Sequence, residues 1–304
     1  MDEDMEIIIG LITKTETNPF FVKMREGAAA MAEEMGATLM TAAGTFDGDN
    51  ESQVTAIENM VAAGAQGILI TPSDTTAIVP AIEKAREEGV LVIALDTPTN
   101  PEEATDALFA TDNYQAGVLI GEYARAAMGD EPVKIATLDL APGITVGQLR
   151  HDGFLAGYGI EEGDPQIVCS QDTRGDQAMG QTAMENCLSA DPEINVVYTI
   201  NEPAAFGAYT ALEAAGRADD VLIVSVDGGC AGVRGVVEGS IAATSQQYPL
   251  RMASLGVEAV VDFAKTGNAA SGYTDTGVTL ITDDAQDGVD SEDSEFGLAN
   301  CWGE

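Results

Sequence analysis

The residues EIIIGLITKTETNPFFVKMREG, Glu6 to Gly27, hold a strand, a turn and a helix start in one run. The apolar segment Ile7 to Ile12 reads as a strand, the polar segment Thr13 to Asn18 as a turn, and Pro19 as the opening of a helix. Proline suits a first helical position because its missing N–H would have no intrahelical partner there. Two adjacent aromatics, Phe20 and Phe21, then stand beside Lys14, Glu16 and Asn18 at the carboxyl end of the strand. Open α/β sheets bind ligands at that end. Ring faces next to amide, ammonium and carboxylate groups suit a molecule with C–H faces and a rim of hydroxyls, such as a sugar. The competing explanation is that both rings are core, as aromatics usually are.

Outward from this run, β-rich segments alternate with amphipathic ones along nearly the whole chain. Strands are predicted at 6–13, 38–43, 67–71, 90–95, 133–139, 166–170, 195–200, 221–226 and 241–245. Helices are predicted at 19–35, 50–63, 76–88, 112–128, 145–158, 175–189, 203–215 and 249–265. Asp112 or Asn113 can cap one helix start, and Gly36, Gly64, Gly89 and Gly216 follow helix ends. Such alternation means right-handed crossovers and a largely parallel sheet. Nine units exceed one comfortable sheet, and the pattern pauses near 97–111, so the chain divides into two lobes.

Polar residues stand directly after many of these strands: Lys14 and Asn18, Thr71 to Asp74, Asp96 and Thr97, Asn201 and Glu202, Asp227, Gln246 and Gln247. Parallel strands point their carboxyl ends one way, so these residues are candidates for a shared site. Helix capping explains a single such residue, Asp74 or Glu202 for instance, but explains the set poorly.

The chain has 304 residues, enough for two lobes, and 45% hydrophobic residues, which fits a folded globule. Its formal net charge is −38, from 13 Lys+Arg against 51 Asp+Glu. That surface repels nucleic-acid phosphates and excludes a nucleic-acid partner. Dispersed acidity with few lysines is also how salt-adapted proteins look, because salt screens their self-repulsion. No apolar run of 18 residues is present to span a bilayer. The start MDEDMEIIIG lacks the basic and apolar regions of a signal sequence, which leaves a cytosolic protein or one read from after a removed export signal. The four cysteines, Cys169, Cys187, Cys230 and Cys301, permit three pairings, and two disulfides in an exported protein are favoured over buried free thiols. Should Cys230 pair with Cys301, the tail would be tied beside Asp227, and Cys169 with Cys187 would join a strand end to the next helix.

These residues also form an ordered series of motifs: NPFF at 18–21, LD at 95–96, TDN at 111–113, RHDGF at 150–154, YTINE at 198–202, VDG at 226–228 and ATSQQYP at 243–249. Through that series, from about Ile7 to Ile281, the chain resembles the ribose-binding type of periplasmic sugar-binding protein, the receptor component of ABC importers. Within that family it looks most similar to the fructose-binding receptors, through TKTETNPFF, DGDNESQ, TINEPAA, ATSQQYPL and the terminal CWG. The resemblance implies a type I arrangement of two doubly wound αβα lobes joined by three hinge strands, with sugar bound between them. It assigns 1–110 and 248–276 to the first lobe and 111–247 and 277–304 to the second, with crossings near 109–111, 246–248 and 275–277. On the family pattern Asn18, Phe20, Phe21 and Asp96 approach the sugar from the first lobe, Arg150, Asn201 and Asp227 from the second, and Gln247 lies at a crossing. Arg150 as a surface ion pair and Asp227 as a turn residue are the structural alternatives.

Two positions depart from the ribose-binding pattern. Thr97 stands where ribose receptors carry a second arginine, and Gly175 where they carry a third stacking phenylalanine. Fructose is therefore favoured, with ribose, glucose or inositol as alternatives. Lys14 would supply a replacement cation, as in the fructose-like subgroup, and Arg174 is a further candidate. The resemblance also implies a monomeric periplasmic or extracellular receptor that delivers sugar to a membrane permease, with no cofactor and with a lipid anchor left open. A regulator's sensing domain would need an N-terminal DNA-binding module, for which a strand beginning at Glu6 leaves no room. An enzyme using Asp96 and Asp227 as an acid/base pair finds no other support. Asp47, Asp49, Glu51 and Glu58 echo a calcium loop but lack its glycine. His151, the only histidine, is expected to face solvent or cap a helix, and Trp302 to anchor the acidic tail.

Overall fold

A computed structural model describes residues 6–303. Met1 to Met5, part of the N-terminal segment read above for an export signal, lie outside the described residues, as does Glu304. The chain forms two compact units: Met1–Thr111, Gly143–Val146 and Tyr248–Thr276 make unit 1, and Asp112–Pro142, Gly147–Gln247 and Gly277–Glu304 make unit 2.

Unit 1 carries β1 (Ile8–Thr13), α1 (Pro19–Met35), β2 (Thr38–Ala43), α2 (Asn50–Ala62), β3 (Gly67–Ile70), α3 (Val79–Glu87), β4 (Leu91–Leu95), β5 (Ala107–Ala110), α9 (Pro249–Thr266) and β11 (Gly272–Asp275). Its sheet runs in the order β11-β5-β4-β3-β1-β2, every pair parallel. Strands β3 and β4 are buried along their whole length, as strands covered by helices on both faces must be. Pro19 and Pro249 sit at the first turns of α1 and α9, and Gly36 and Gly267 close both helices in the left-handed conformation. On one face Ile12, Ile57, Met60, Ile68, Ile70 and Ile82 form a dry cluster between α2, α3 and the sheet.

Unit 2 carries α4 (Asn113–Met128), β6 (Ile135–Asp139), α5 (Thr145–Tyr158), β7 (Ile167–Asp172), α6 (Gln177–Ala190), β8 (Val196–Thr199), α7 (Glu202–Ala214), β9 (Leu222–Asp227), α8 (Cys230–Glu238), β10 (Ala243–Gln246), β12 (Thr279–Ile281) and α10 (Ser294–Asn300). The sheet order is β12-β10-β9-β8-β6-β7, parallel except for the edge strand β12, which runs antiparallel to β10. Cores form on both faces, one around Phe154, Tyr198 and Ile120, the other around Met184, Leu212 and Ile223.

The predicted helices and strands correspond to observed ones within a few residues, while β5, β11, β12, α8 and α10 were not foreseen. The disulfides are Cys169–Cys187 and Cys230–Cys301, with Cα separations of 5.6 and 4.9 Å. The first joins β7 to α6; the second joins the start of α8 to the residue after α10. No helix among the described residues is long and apolar enough to cross a membrane.

Candidate functional site

In both sheets the strand order reverses beside one strand: β1 lies between β2 and β3, and β6 between β7 and β8. Connections diverge at such a switch point and leave a crevice outside the strand ends.

In unit 1, Lys14 follows β1 and is only 2% exposed. Among the described residues its ammonium makes no hydrogen bond or ion pair. The neighbouring strand ends are fastened by Gln53, fully buried on α2, whose Nε2 donates to the carbonyls of Thr13 (3.1 Å) and Thr71 (2.8 Å) while its Oε1 accepts from Ser73 N (2.8 Å). Asp96 and Thr97 follow β4 and are buried; Thr97 Oγ1 donates to Asp96 Oδ2 at 2.8 Å. Asn18 caps α1, its Oδ1 accepting from Phe20 N at 2.9 Å. Phe20 and Phe21 are both buried and meet edge to face with centroids 5.4 Å apart.

In unit 2, a close helix pair sets up the polar cluster. Gly117 and Gly121 on α4 face Gly153 and Gly157 on α5, and a Cβ on any of the four would collide with the backbone of the opposite helix. This approach brings Arg150 against Asn113: its Nε donates to Asn113 Oδ1 at 2.9 Å. Arg150 Nη1 donates to the carbonyl of Ile200 at 2.9 Å and lies 3.6 Å from Asp227 Oδ1. Asp227 Oδ1 in turn accepts from Gln247 Nε2 at 2.9 Å. Arg150 and Asp227 are each 5% exposed, so Arg150 is not a surface ion pair. Gln247 Oε1 is buried with no hydrogen-bond partner among the described residues. Asn201 caps α7 through its Oδ1 (3.1 Å to Ala204 N) and donates Nδ2 to the carbonyl of Gly175 at 3.1 Å.

Three non-glycine residues among those described have positive φ: Asp96 (64°), Arg174 (49°) and Asp227 (140°). Strained residues of this kind persist where surroundings over-determine them, and they cluster at functional sites. Asp96 and Asp227 fit that pattern. Arg174 does not join the cluster: consecutive left-handed residues at 174 and 175 close a turn, its N–H donates to Asp172 Oδ1, and the residue is exposed.

His151 is corrected. Its Nδ1 and Nε2 lie 2.9 Å from Asp139 and Glu162 respectively. Burial lowers its pKa, but the two carboxylates outweigh burial and raise it to about 9. Asp74 caps no helix: it accepts from Thr76 N and Ala77 N in the turn ahead of α3, whose N-cap is Ile78. Glu202 does not cap; it is buried and accepts from Gly228 N (2.7 Å), Gly229 N (3.1 Å) and Thr244 Oγ1 (2.9 Å). Burial first and the Asp227 charge second push its carboxyl well above the usual range. The sequence reading missed Gln53, the acceptor role of Asn113 and the interior role of Glu202. TDN at 111–113 held a signal for the second, since Asp112 suffices as the cap. Among the described residues no group of three or more His, Cys, Asp or Glu is arranged to hold a metal ion.

Residues 9–269 match the family model described as periplasmic binding protein domain. The ribose import binding protein of Bacillus subtilis (strain 168) is 30% identical over 257 residues, covering 84% of this chain and 81% of its own length. The D-allose-binding periplasmic protein of Escherichia coli (strain K12) is 26% identical over 263 residues, covering 84% of each chain. Among solved structures, an ABC transporter periplasmic solute binding protein from Actinobacillus succinogenes with bound D-allose superposes with a TM-score of 0.82 at 28% identity, over 91% of this chain and 98% of that one. An ABC transporter solute binding protein from Agrobacterium vitis with bound D-fucose gives 0.83 at 26%, over 91% and 95%. The chain belongs to the periplasmic binding protein family, in the type that the ribose import receptors represent.

Proposed function

We propose that this protein is the solute receptor of an ABC sugar importer and that it takes one monosaccharide, D-fructose first, through its strand-end residues. The observation that carries the reading is the buried set Arg150, Asn113, Asp227 and Gln247, with an acceptor of Gln247 left unfilled. A guanidinium fork, a carboxylate and amides supply donors and acceptors in the mixture that adjacent hydroxyls require. Lys14, Asn18, Phe20, Phe21, Asp96 and Thr97 of unit 1 and Asn201 of unit 2 are the further residues assigned to ligand binding. Charge-assisted bonds contribute roughly 1.5–3 kcal/mol each, so a few of them reach about −8 kcal/mol, or micromolar affinity, after the cost of association.

Two features favour fructose over ribose. Thr97 is fully buried and bonded to Asp96, so no second guanidinium occupies that position. Gly175 carries no third ring of the ribose-binding pattern, and a Cβ there would stand 2.6 Å from Asn201 Nδ2. The receptor hands its sugar to a membrane permease on the outer side of the cytoplasmic membrane, and it is not an enzyme. Calorimetric titration with D-fructose, D-ribose, D-glucose and myo-inositol tests the reading: fructose is expected to saturate at one site and to be recovered unchanged. Tighter binding of another of these sugars removes fructose, and turnover or no binding of any removes the receptor. The −38 charge further points to a salt-adapted protein, so its Tm is expected to rise with KCl, and a flat profile would dismiss that idea.

A further inference from the structure

The chain has a single tryptophan, Trp302, and it is buried against unit 2's polar cluster. Its Nε1 donates to the backbone carbonyl of Gln247 at 2.9 Å, and its own carbonyl accepts from Cys230 N at 2.9 Å. The Cys230–Cys301 disulfide fixes the residue before it. The indole edge also covers Gly229, where a Cβ would lie 3.3 Å from Cζ3. An anchor needing only hydrophobic cover would not require both of these polar contacts.

The same turn is gripped from inside. Glu202 accepts from Gly228 N and Gly229 N, the two amides that follow Asp227. Gly232 makes room for it, since any side chain there would collide with the Glu202 carboxyl group. Gln246 Nε2 donates both to Gly228 O (2.8 Å) and to Gly297 O of α10 (3.0 Å). Asp227 itself is held at φ 140°, which an unsupported aspartate would abandon.

We propose that the C-terminal segment from Gly297 to Trp302 is the back plate of unit 2's ligand site, in which Trp302 from outside and Glu202 from inside are positioning residues that hold Asp227 and Gln247 ready for sugar. The proposal rests on the assignment of Asp227 and Gln247 to the ligand. Neither positioning residue touches sugar; each acts through the turn at 227–229 or through the Gln247 backbone.

Two measurements separate this role from simple tail anchoring. Trp302→Phe keeps a ring and removes the N–H. In sugar-free protein, amide hydrogen exchange at 227–230 and 247 is expected to speed up about tenfold, with the amides of α4 and α5 unchanged. The Kd for D-fructose, read by calorimetry well below the Tm, is expected to rise about tenfold. Glu202→Gln should give the same pair of changes. A lowered Tm with unchanged exchange and unchanged Kd overturns the proposal. Should Trp302→Phe fail to fold, the Cys230→Ser/Cys301→Ser variant carries both measurements, with Cys169→Ser/Cys187→Ser as the variant expected to keep wild-type Kd. If wild-type protein binds no fructose, the receptor reading fails for that sugar, and exchange alone still decides the positioning role.

Discussion

Replacing Asp227 tests the electrostatics of the site, and the structure dictates which replacement is informative. Arg150 is 5% exposed, and its Nη1 lies 3.6 Å from the Asp227 carboxylate. At an effective dielectric near 20 that attraction is about 4–5 kcal/mol gross, most of it offset by desolvation of both ions. Asp227→Ala takes that carboxylate away from the guanidinium, whose bonds to Asn113 Oδ1 and the Ile200 carbonyl remain. Removing one partner of a buried pair in this way costs about 3–5 kcal/mol, because the remaining charge stays buried without it. Asp227→Asn retains an oxygen for Gln247 Nε2 and relieves the repulsion with Glu202, so its cost should be about 1–2 kcal/mol. For the ligand the two replacements converge. A carboxylate accepting two hydroxyls loses about 1–1.5 kcal/mol per bond on becoming a neutral amide, which weakens fructose binding roughly 30- to 150-fold. Urea unfolding of both variants at constant m-value, together with calorimetric Kd for Asp227→Asn, measures each part. An asparagine variant within threefold of wild-type Kd would refute the ligand role. An alanine variant no less stable than the asparagine variant would refute the charge argument.

Gln53→Leu should destabilise unit 1 by about 2–4 kcal/mol, since Ser73 N loses its acceptor and the β1 and β3 ends lose their clasp; a Cm fall equivalent to under 0.5 kcal/mol would show that the clasp contributes little. Gly117→Ala forces α4 and α5 apart where the added methyl meets the Arg150 carbonyl, with an expected loss of about 1–3 kcal/mol and weaker sugar binding; unchanged affinity would separate the helix crossing from the placement of Arg150. His151 has a folded pKa raised to about 9, so its contribution is fully present below its unfolded value near 6.5 and is lost as pH rises through 9. The stability gap between wild type and His151→Ala should therefore be widest near pH 6 and close by about pH 10, and a gap that widens with pH would reverse the assignment of charge.

What was readable in the sequence follows from whether a signal is local. Pro19 and Gly36 bracket α1 within seventeen residues, and Pro249 and Gly267 do the same for α9, so proline geometry and left-handed glycine mark both ends directly. Helix α8, CAGVRGVVE, looks unlike a helix because two glycines and three valines lower its propensity. Its glycines answer to distant needs: Gly232 clears space for Glu202, and Gly235 lies against Ser240 and Ile241. Strand β5 has only four residues, and β11 is an edge strand whose residues are mostly exposed, so neither has the alternation that a half-buried strand shows.

The site divides the same way. Lys14, Asp96, Asn201 and Asp227 were legible because a parallel strand fixes where its last residue stands, whatever the rest of the chain does. Arg150 was legible as a donor fork but not as buried, since its burial depends on four glycines in GVLIG and GFLAG, at 117–121 and 153–157, that carry no chemistry of their own. Arg174 was legible as a cation beside a strand end, but not the consecutive left-handed residues that leave it exposed. Gln53 and Glu202 stayed hidden for another reason: apart from the Thr244 hydroxyl, their partners are backbone amides and carbonyls up to 40 residues away, and every residue offers those alike. A side chain that recognises a ligand announces itself by type and place. One that recognises the protein's own backbone is anonymous until the fold supplies its partner, and Gln53 and Glu202 are of that second kind.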